Sequence, residues 1–163
     1  MRKELDQQLL RELLKNSKRS DREIAKVLKV SQPTITRARQ RLERNGMIQD
    51  YTIIPNFSMM GFELLAITLV KMRPDINSPE MTEGIRKYAA KFPNAIFASK
   101  GEGLGMTGVI ISFHKNYTEY HNKLDLLRID WKDYTEDIQS FVVPIGEGEY
   151  KKFSLKYLKD VSL

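Results

Sequence analysis

The sequence contains no cysteine, only two histidines and no long apolar run. The lack of cysteine excludes disulfide frameworks, thiolate zinc sites and cysteine nucleophiles, and it fits a reducing compartment. The most apolar stretch, Phe62 to Met72, is interrupted by Glu63, Thr68 and Lys71 and is far shorter than the ~20 residues of a membrane helix. The start of the chain lacks the apolar core of a signal peptide. We therefore expect a cytoplasmic protein without a membrane partner.

Positive charge is present in excess and is unevenly distributed. The 163 residues carry 27 Lys+Arg and 21 Asp+Glu, a net charge of +6. Divided at Asn56, residues 1–56 carry 13 basic and 7 acidic residues, whereas residues 57–163 carry 14 of each. Confinement of the excess to one small segment is typical of a module that binds a polyphosphate. The length allows one domain or two small ones, and the charge pattern favours two.

The basic segment has the pattern of short helices. Leucines at helical spacing predict a first helix from about Asp6 to Asn16. Ser20 and Glu23 have the spacing of a capping box that begins a second helix. The inner face of this second helix is predicted from the apolar residues Ile24, Ala25, Val27 and Leu28.

A third helix is predicted from about Gln32 to Asn45. Ser31 is its N-cap candidate, and Gly46 is suited to the left-handed residue that follows a helix end. Two short helices joined by a tight turn after a first helix are typical of a helix-turn-helix. The β-branched and aromatic residues of segment 47–54 predict a strand that would form a wing.

The third helix divides into a buried stripe and a polar face. Ile35, Ala38 and Leu42 fall on one side at about 100° per residue. The opposite side consists almost wholly of groups that can donate to phosphates or base edges, and Glu43 is the only acid beside four arginines. We predict DNA contacts for eight residues, which are Gln32, Pro33, Thr34, Thr36, Arg37, Gln40, Arg41 and Arg44.

The remaining two thirds alternate between strand and helix patterns. Strands are predicted at residues 64–70, 95–99, 107–113 and 138–143, with helices beginning near Ser78 and Asn116. The order βαββαβ predicts a ferredoxin-like sandwich, so the whole chain is of the α+β class. Residues 150–158 are compatible with either an added edge strand or a short helix.

Three N-terminal segments, combined with the βαββαβ order, carry a specific resemblance. They are Leu5-Asp6 with Leu9-Leu10, residues 24–31 (IAKVLKVS) and residues 42–48 (LERNGMI). The chain resembles the Lrp/AsnC (feast/famine) family of transcriptional regulators over almost its whole length. The resemblance implies a winged helix-turn-helix DNA-binding domain at 1–56, a ferredoxin-like (RAM, ACT-like) dimerisation and effector-sensing domain at 57–146, and a C-terminal extension at 147–163.

The sequence departs from the common family pattern in two places. Ala38 and Arg39 stand where an arginine and then an aliphatic residue are expected, so Arg39 must snorkel or find a partner such as Glu43. The loop Gly101-Glu102-Gly103-Leu104-Gly105 replaces the usual glycine and aspartate and is more similar to archaeal members. This loop is either a plain hairpin turn or, as in the family, part of an effector pocket at a dimer interface.

Other functional motifs are weak. The glycine spacing fits neither a dinucleotide fingerprint nor a Walker A loop, and His114 and His121 have no accompanying ligand cluster, so we expect no cofactor and no metal. We interpret the chain as a sequence-specific DNA-binding regulator that acts as a homodimer or an assembly of dimers and responds to a small molecule such as an amino acid. The alternatives are a non-specific architectural (nucleoid) DNA-binding protein and, in another class, a small-molecule enzyme on the ferredoxin-like domain. No constellation of nucleophile, base or metal supports the enzyme, so we expect no enzymatic activity.

Overall fold

The computed structural model of the chain describes residues 2–74 and 78–161. The chain forms two compact units. One unit joins the chain up to Ile54 with the segment from Lys151 onward, and the other is Pro55–Tyr150. The sequence predicts a separate extension at 147–163, whereas the larger part of that segment belongs to the unit of the N-terminal helices. Ser162 and Leu163, the end of that extension, lie outside the described residues.

The first unit contains three helices, α1 (Arg2–Lys15), α2 (Asp21–Leu28) and α3 (Gln32–Arg44). The capping box of α2 is confirmed, because the Ser20 hydroxyl accepts from the backbone N–H of Glu23 and the Glu23 carboxylate accepts from the backbone N–H of Ser20. Ser31 caps α3, and Gly46 follows it with a φ of 74°. These local rules set the helix ends that the sequence predicts.

A single apolar core joins the three helices. Its buried members are Leu9, Leu13, Ile24, Ala25, Ile35, Ala38 and Leu42. The predicted stripe of α3 is therefore confirmed. The prediction that Val27 faces inward is wrong, because its side chain is 49% exposed.

The predicted wing strand is not formed. Residues 47–54 contain no strand, because an isolated extended segment has no partner for its backbone groups. The segment instead returns onto α3. The backbone N–H of Ile48 donates to the Leu42 carbonyl (3.1 Å), and the Tyr51 hydroxyl donates to Glu43 Oε1 (2.8 Å).

The second unit has the predicted ferredoxin-like order. Its elements are β1 (Leu64–Met72), α4 (Pro79–Ala89), β2 (Ala95–Gly103), β3 (Met106–His114), α5 (Tyr117–Asp130) and β4 (Thr135–Pro144). The antiparallel sheet has the order β2-β3-β1-β4, which confirms the βαββαβ prediction. Ala66, Val70 and Ile138 of the sheet pack with Tyr120 and Leu124 of α5.

The segment after Tyr150 forms a short 3-10 helix, Leu155–Asp160, which resolves the choice that the sequence leaves open. This helix packs against α1 within the first unit. No helix among the described residues is long and apolar enough to cross a membrane.

Candidate nucleic-acid interface

The outward face of α3 presents three long polar side chains that have no partner among the described residues. Arg37, Gln40 and Arg44 are exposed, and no other residue of the described chain hydrogen-bonds to or pairs with their side chains. They lie opposite the buried stripe, so they share one side of the helix. Pro33 begins this face, and from there to Arg44 the helix rises about 16 Å. The face is therefore a strip of donors that remain available to a ligand.

Three of the eight residues predicted to contact DNA are engaged inside the unit. The Thr34 hydroxyl lies 2.7 Å from the Ser31 hydroxyl, within the cap of α3. Arg41 is paired with Asp6 of α1, with its Nε 2.9 Å from Asp6 Oδ2. Thr36 donates to Asp21 Oδ2 (2.7 Å). The remaining five, Gln32, Pro33, Arg37, Gln40 and Arg44, are all exposed.

Asp21 links α2 to α3. It is the first residue of α2, and its carboxylate accepts from Thr36 and from Arg39 Nε (2.7 Å). Arg39 Nη1 also donates to the Tyr51 hydroxyl (3.2 Å). Arg39 thus finds a charged partner, as the sequence requires, but that partner is Asp21 rather than Glu43. Because Asp21 holds two residues of α3, it helps to fix the angle at which the outward face is presented.

Three acidic residues of the first unit, Asp6, Glu12 and Asp21, form ion pairs within it. Buried Glu12 accepts from Lys15 and Arg19, and the hydrogen bond from Lys15 is the main reason that the pKa of Glu12 lies below its ordinary value. Asp6 and Asp21 pair with the inward-facing arginines already described. No carboxylate of the described residues forms an ion pair with Arg37 or Arg44, so their charge is left for an external anion.

The C-terminal segment adds charge that sequence reasoning did not assign to this unit. Lys151, Lys152, Lys156 and Lys159 lie within thirteen residues of sequence that contain one acid, Asp160. With this segment the first unit carries 17 Lys+Arg and 8 Asp+Glu, a net charge of +9, whereas Pro55–Tyr150 carries 10 and 13, a net charge of −3. The separation of charge is therefore sharper than the division at Asn56 indicates.

The loop Gly101–Gly105 forms a tight hairpin. β2 runs to Gly103, which pairs with Met106, so only Leu104 and Gly105 form the turn. Both have positive φ, 54° for Leu104 and 73° for Gly105. Gly101, Glu102, Gly103, Leu104 and Gly105 are all exposed, and Leu104 is 89% exposed. The loop therefore places a large apolar side chain in solvent on a left-handed backbone.

The left-handed conformation of Leu104 predicts a gain in stability on substitution. We expect Leu104→Asn to raise the free energy of unfolding by about 1 kcal/mol, because asparagine tolerates this conformation and Asn-Gly is a preferred two-residue hairpin turn. The measurement is urea unfolding of the full chain. Leu126→Asn, which replaces a half-exposed leucine within α5, is the control and should bring no gain. A lower stability for Leu104→Asn than for the unchanged chain would contradict this account.

Among the described residues of the second unit, no helix lies on the face of the sheet opposite α5. Phe97, Ile111, Ile67 and Phe141 pair in register across all four strands and project on the side opposite α5. Phe97 is 50% exposed and Phe141 is 69% exposed. A contiguous apolar row of this kind on a surface is typical of an interaction face.

Within residues 2–74 and 78–161, no group of three or more histidine and acidic side chains could hold a metal ion. His114 is buried and hydrogen-bonded to Ser112, and His121 pairs with Asp125 on the surface of α5.

Similarity to known proteins agrees with this geometry. Residues 2–49 match the family described as winged helix-turn-helix DNA-binding. The chain is 43% identical over 67 residues to PH1692 of Pyrococcus horikoshii, an uncharacterized HTH-type transcriptional regulator, in a match that covers 41% of this chain and 45% of the relative. The chain thus spans slightly less than half the length of such uncharacterized Pyrococcus relatives.

Longer matches extend the similarity beyond the helix-turn-helix. The HTH-type transcriptional regulator LrpA of Pyrococcus abyssi is 31% identical over 103 residues, covering 63% of this chain and 71% of the relative. The crystal structure of the transcriptional regulator NMB0573 of Neisseria meningitidis in complex with L-Met superposes with a TM-score of 0.74 at 18% identity, covering 94% of this chain and 96% of that one. The neisserial structure shares the fold, and the LrpA match, at 103 residues, is about twice as long as the segment that matches the helix-turn-helix family. The chain belongs to the Lrp/AsnC family of transcriptional regulators.

Proposed function

We propose that this chain is a sequence-specific DNA-binding transcription regulator that reads DNA with the outward face of α3. The proposal is carried by three exposed side chains of α3, Arg37, Gln40 and Arg44, which have no partner in residues 2–74 and 78–161 and belong to a unit of net charge +9. An arginine matches the O6/N7 acceptor pair of guanine, and glutamine matches the N6/N7 edge of adenine. The major groove, about 12 Å wide, admits an α-helix.

The other predicted contact residues have supporting roles in this proposal. Gln32, Pro33 and Thr34 bring the N-terminus of α3 against phosphate, where its backbone N–H groups favour an anion. Thr36 and Arg41 keep the helix in place through Asp21 and Asp6, and they approach DNA only at the edge of the interface.

The proposed regulator acts as a homodimer or an assembly of dimers. One small helix-turn-helix unit covers too little DNA for tight specific binding, whereas two copies read half-sites about one helical turn apart. The apolar row of Phe97, Ile111, Ile67 and Phe141 supports the sheet face of the second unit as the surface at which copies meet.

Modulation by an amino acid or another small molecule is part of the proposal. It is supported by the neisserial regulator of the same fold, whose crystal structure is a complex with L-Met. The hairpin at Gly101–Gly105 is the proposed contact region, since its exposed Leu104 adopts a backbone conformation that is costly for leucine. Modulation by an amino acid is tested by measuring the thermal unfolding midpoint of the full chain with each of the twenty amino acids. A ligand that binds only the folded state must raise this midpoint.

The proposed function is tested by enrichment from a random-sequence duplex pool, followed by titration of the full chain on the enriched duplex and on a scrambled one. We expect the enriched duplex to bind on the order of 10³-fold tighter or more at physiological salt. Equal affinities that fall together with rising salt would contradict sequence specificity and indicate an architectural protein.

We expect the C-terminal lysines to contribute to DNA affinity in a way that does not depend on the DNA sequence. Replacing Lys151, Lys152 and Lys156 by glutamine lowers the net charge of the first unit from +9 to +6. We expect similar losses of affinity on enriched and scrambled duplexes. The slope of log K against log salt should become shallower by up to about 0.9 for each phosphate that the lysines no longer neutralise. The triple substitution of Lys87, Lys115 and Lys132 in the second unit is the matched control. Identical salt slopes in the two triple variants would contradict a contribution from the C-terminal segment.

A further inference from the structure

The segment that follows α3, residues 47–54, stands where a wing is expected but lacks the charge of one. It contains one acid, Asp50, and neither lysine nor arginine, so it offers no cation to a phosphate. It does lead directly from α3 toward the second unit, which begins at Pro55. The segment is therefore suited to setting geometry rather than to binding DNA.

Tyr51 attaches this segment to α3 through its side chain. The Tyr51 hydroxyl accepts from Arg39 Nη1 (3.2 Å) and donates to Glu43 Oε1 (2.8 Å). The guanidinium carbon of Arg39 also lies 5.8 Å from the centroid of the Tyr51 ring, within the range of a cation–π contact. Burial is the main reason that the pKa of Tyr51 lies above its ordinary value, so the hydroxyl keeps the proton that it donates.

Arg39 extends this attachment to α2. It stands where the family pattern has an aliphatic residue, its side chain is 18% exposed, and its Nε donates to Asp21 Oδ1 (2.7 Å). A guanidinium carries several N–H donors in a fixed plane, so it can bind a carboxylate and a hydroxyl at the same time. An aliphatic side chain could do neither. The departure at position 39 thus joins Tyr51 to the first residue of α2.

The attachment of Tyr51 determines how much of the chain between the units is free. Before it, Ile48 is held by a backbone hydrogen bond to α3 (3.1 Å) and by packing against the apolar core. After it, Asn56 accepts a backbone hydrogen bond within the second unit (3.2 Å). Among the described residues, no backbone–backbone hydrogen bond holds the four residues 52–55 that lie between Tyr51 and Asn56. Release of Tyr51 would extend this free stretch to the seven residues 49–55.

The other connection between the units is longer and leaves room for such an extension. Ile145 donates to the Glu63 carbonyl (2.8 Å), and Ser154 caps the 3-10 helix. Eight residues lie between them, including Gly146 and Gly148. Because each residue spans at most about 3.3–3.6 Å, three more free residues add about 10 Å of reach. That distance corresponds to about three base pairs of DNA.

We propose that Tyr51, held by Arg39 and Glu43, is a positioning residue that restricts the half-site spacings that a dimer of this chain binds. The inference rests on the proposed function, because it requires two copies that read two half-sites. With a short free stretch in each copy, the two α3 helices reach only a narrow range of separations. A longer stretch widens this range and lowers the effective concentration of the second helix at the preferred spacing.

The anchor is measured first, without DNA, by ¹⁵N relaxation of the full chain. We expect amide order parameters near 0.85 at positions 50 and 51 of the unchanged chain, and below about 0.6 in Tyr51→Ala. The amide of Ile48 should stay rigid in both, which shows that the end of α3 is folded. The matched control is Thr52→Ala, because Thr52 is exposed and its hydroxyl contacts only the Ile53 carbonyl (3.5 Å) within the described residues. It should leave positions 50 and 51 rigid.

The spacing is then measured by titration on duplexes with one half-site, with two half-sites at the enriched spacing, and with two base pairs inserted between them. The insertion moves the second half-site by about 7 Å. We expect it to weaken binding of the unchanged chain and of Thr52→Ala at least about tenfold, but binding of Tyr51→Ala less than about threefold. All three chains should bind a single half-site equally, because the outward face of α3 is the same.

Three results would overturn the proposal, and they are distinguishable. Equal order parameters at positions 50 and 51 in the unchanged chain and Tyr51→Ala would show that Tyr51 is not an anchor. Lower order parameters with an unchanged spacing penalty would show that the anchor does not restrict spacing. Equal affinity of the unchanged chain for one and two half-sites would contradict the dimeric reading in the proposed function, and the role in spacing would fall with it.

Discussion

Arg37→Ala is expected to weaken binding to the enriched duplex by roughly 1–3 kcal/mol, or about five- to 150-fold, with the fold retained. Arg37 is exposed on α3, and no group of the described chain pairs with its side chain. Its loss therefore removes contacts to DNA without leaving a buried carboxylate unpaired. The measurement is titration of the variant on the enriched and scrambled duplexes at one salt concentration.

The comparison of the two duplexes assigns the role of Arg37. A larger loss on the enriched duplex means that Arg37 reads a base, whereas equal losses mean that it binds phosphate. Arg128→Ala, which removes an exposed arginine from α5, is the control and should leave both affinities unchanged. Unchanged affinity for Arg37→Ala on both duplexes would contradict the proposed interface.

Asp21→Ala is expected to lower the free energy of unfolding by about 2–3 kcal/mol. The substitution removes the acceptor for Thr36 and leaves Arg39, whose side chain is 18% exposed, without its counter-charge. Urea unfolding followed by circular dichroism at 222 nm measures the loss. DNA affinity should also fall, because α3 loses two of its contacts with α2. The affinity is measured at a temperature well below the thermal unfolding midpoint of the variant, so that the protein is folded.

A matched control shows whether the effect of Asp21→Ala comes from the lost contacts between α2 and α3 or only from the loss of one negative charge. Within the described residues, the Asp50 carboxylate accepts a hydrogen bond only from the neighbouring backbone N–H of Tyr51. Asp50→Ala should therefore change the free energy of unfolding by less than about 0.5 kcal/mol. If Asp21→Ala and Asp50→Ala were equally stable, Asp21 would not be the residue that fixes α3.

Local features of the fold could be predicted because they depend on residues close in sequence. The capping box of α2, the cap of α3, Gly46 and the buried stripe of α3 all follow from side chains within one or two turns. The βαββαβ order likewise follows from the alternation of strand-like and helix-like patterns of apolar residues along the chain. These predictions are confirmed.

Features that depend on distant partners could not be predicted. Asp21 and Arg39 are eighteen residues apart, and Asp6 and Arg41 are thirty-five apart, so the pairs that withdraw Arg39 and Arg41 from the outward face appear only in the folded unit. The prediction of a wing strand is wrong for the same reason, since strand propensity without a partner strand does not make a strand.

The charge of the C-terminal segment was present in the sequence but was hidden by averaging. Residues 57–163 have no net charge because an excess of three acids in the middle of the chain offsets an excess of three lysines after Tyr150. Counting the charges separately for the chain up to Ile54, for residues 55–150 and for residues 151–163 would have revealed the basic C-terminal segment. Its packing against α1, however, is a tertiary contact that composition does not encode.

We propose that copies of this chain present α3 to specific half-sites in the major groove. Hydroxyl-radical footprinting of the full chain on the enriched duplex tests it most directly. We expect protected patches centred about 10–10.5 base pairs apart, or a multiple of that spacing, at fixed positions in the sequence. Protection spread evenly along the duplex, with no fixed position, would contradict the claim.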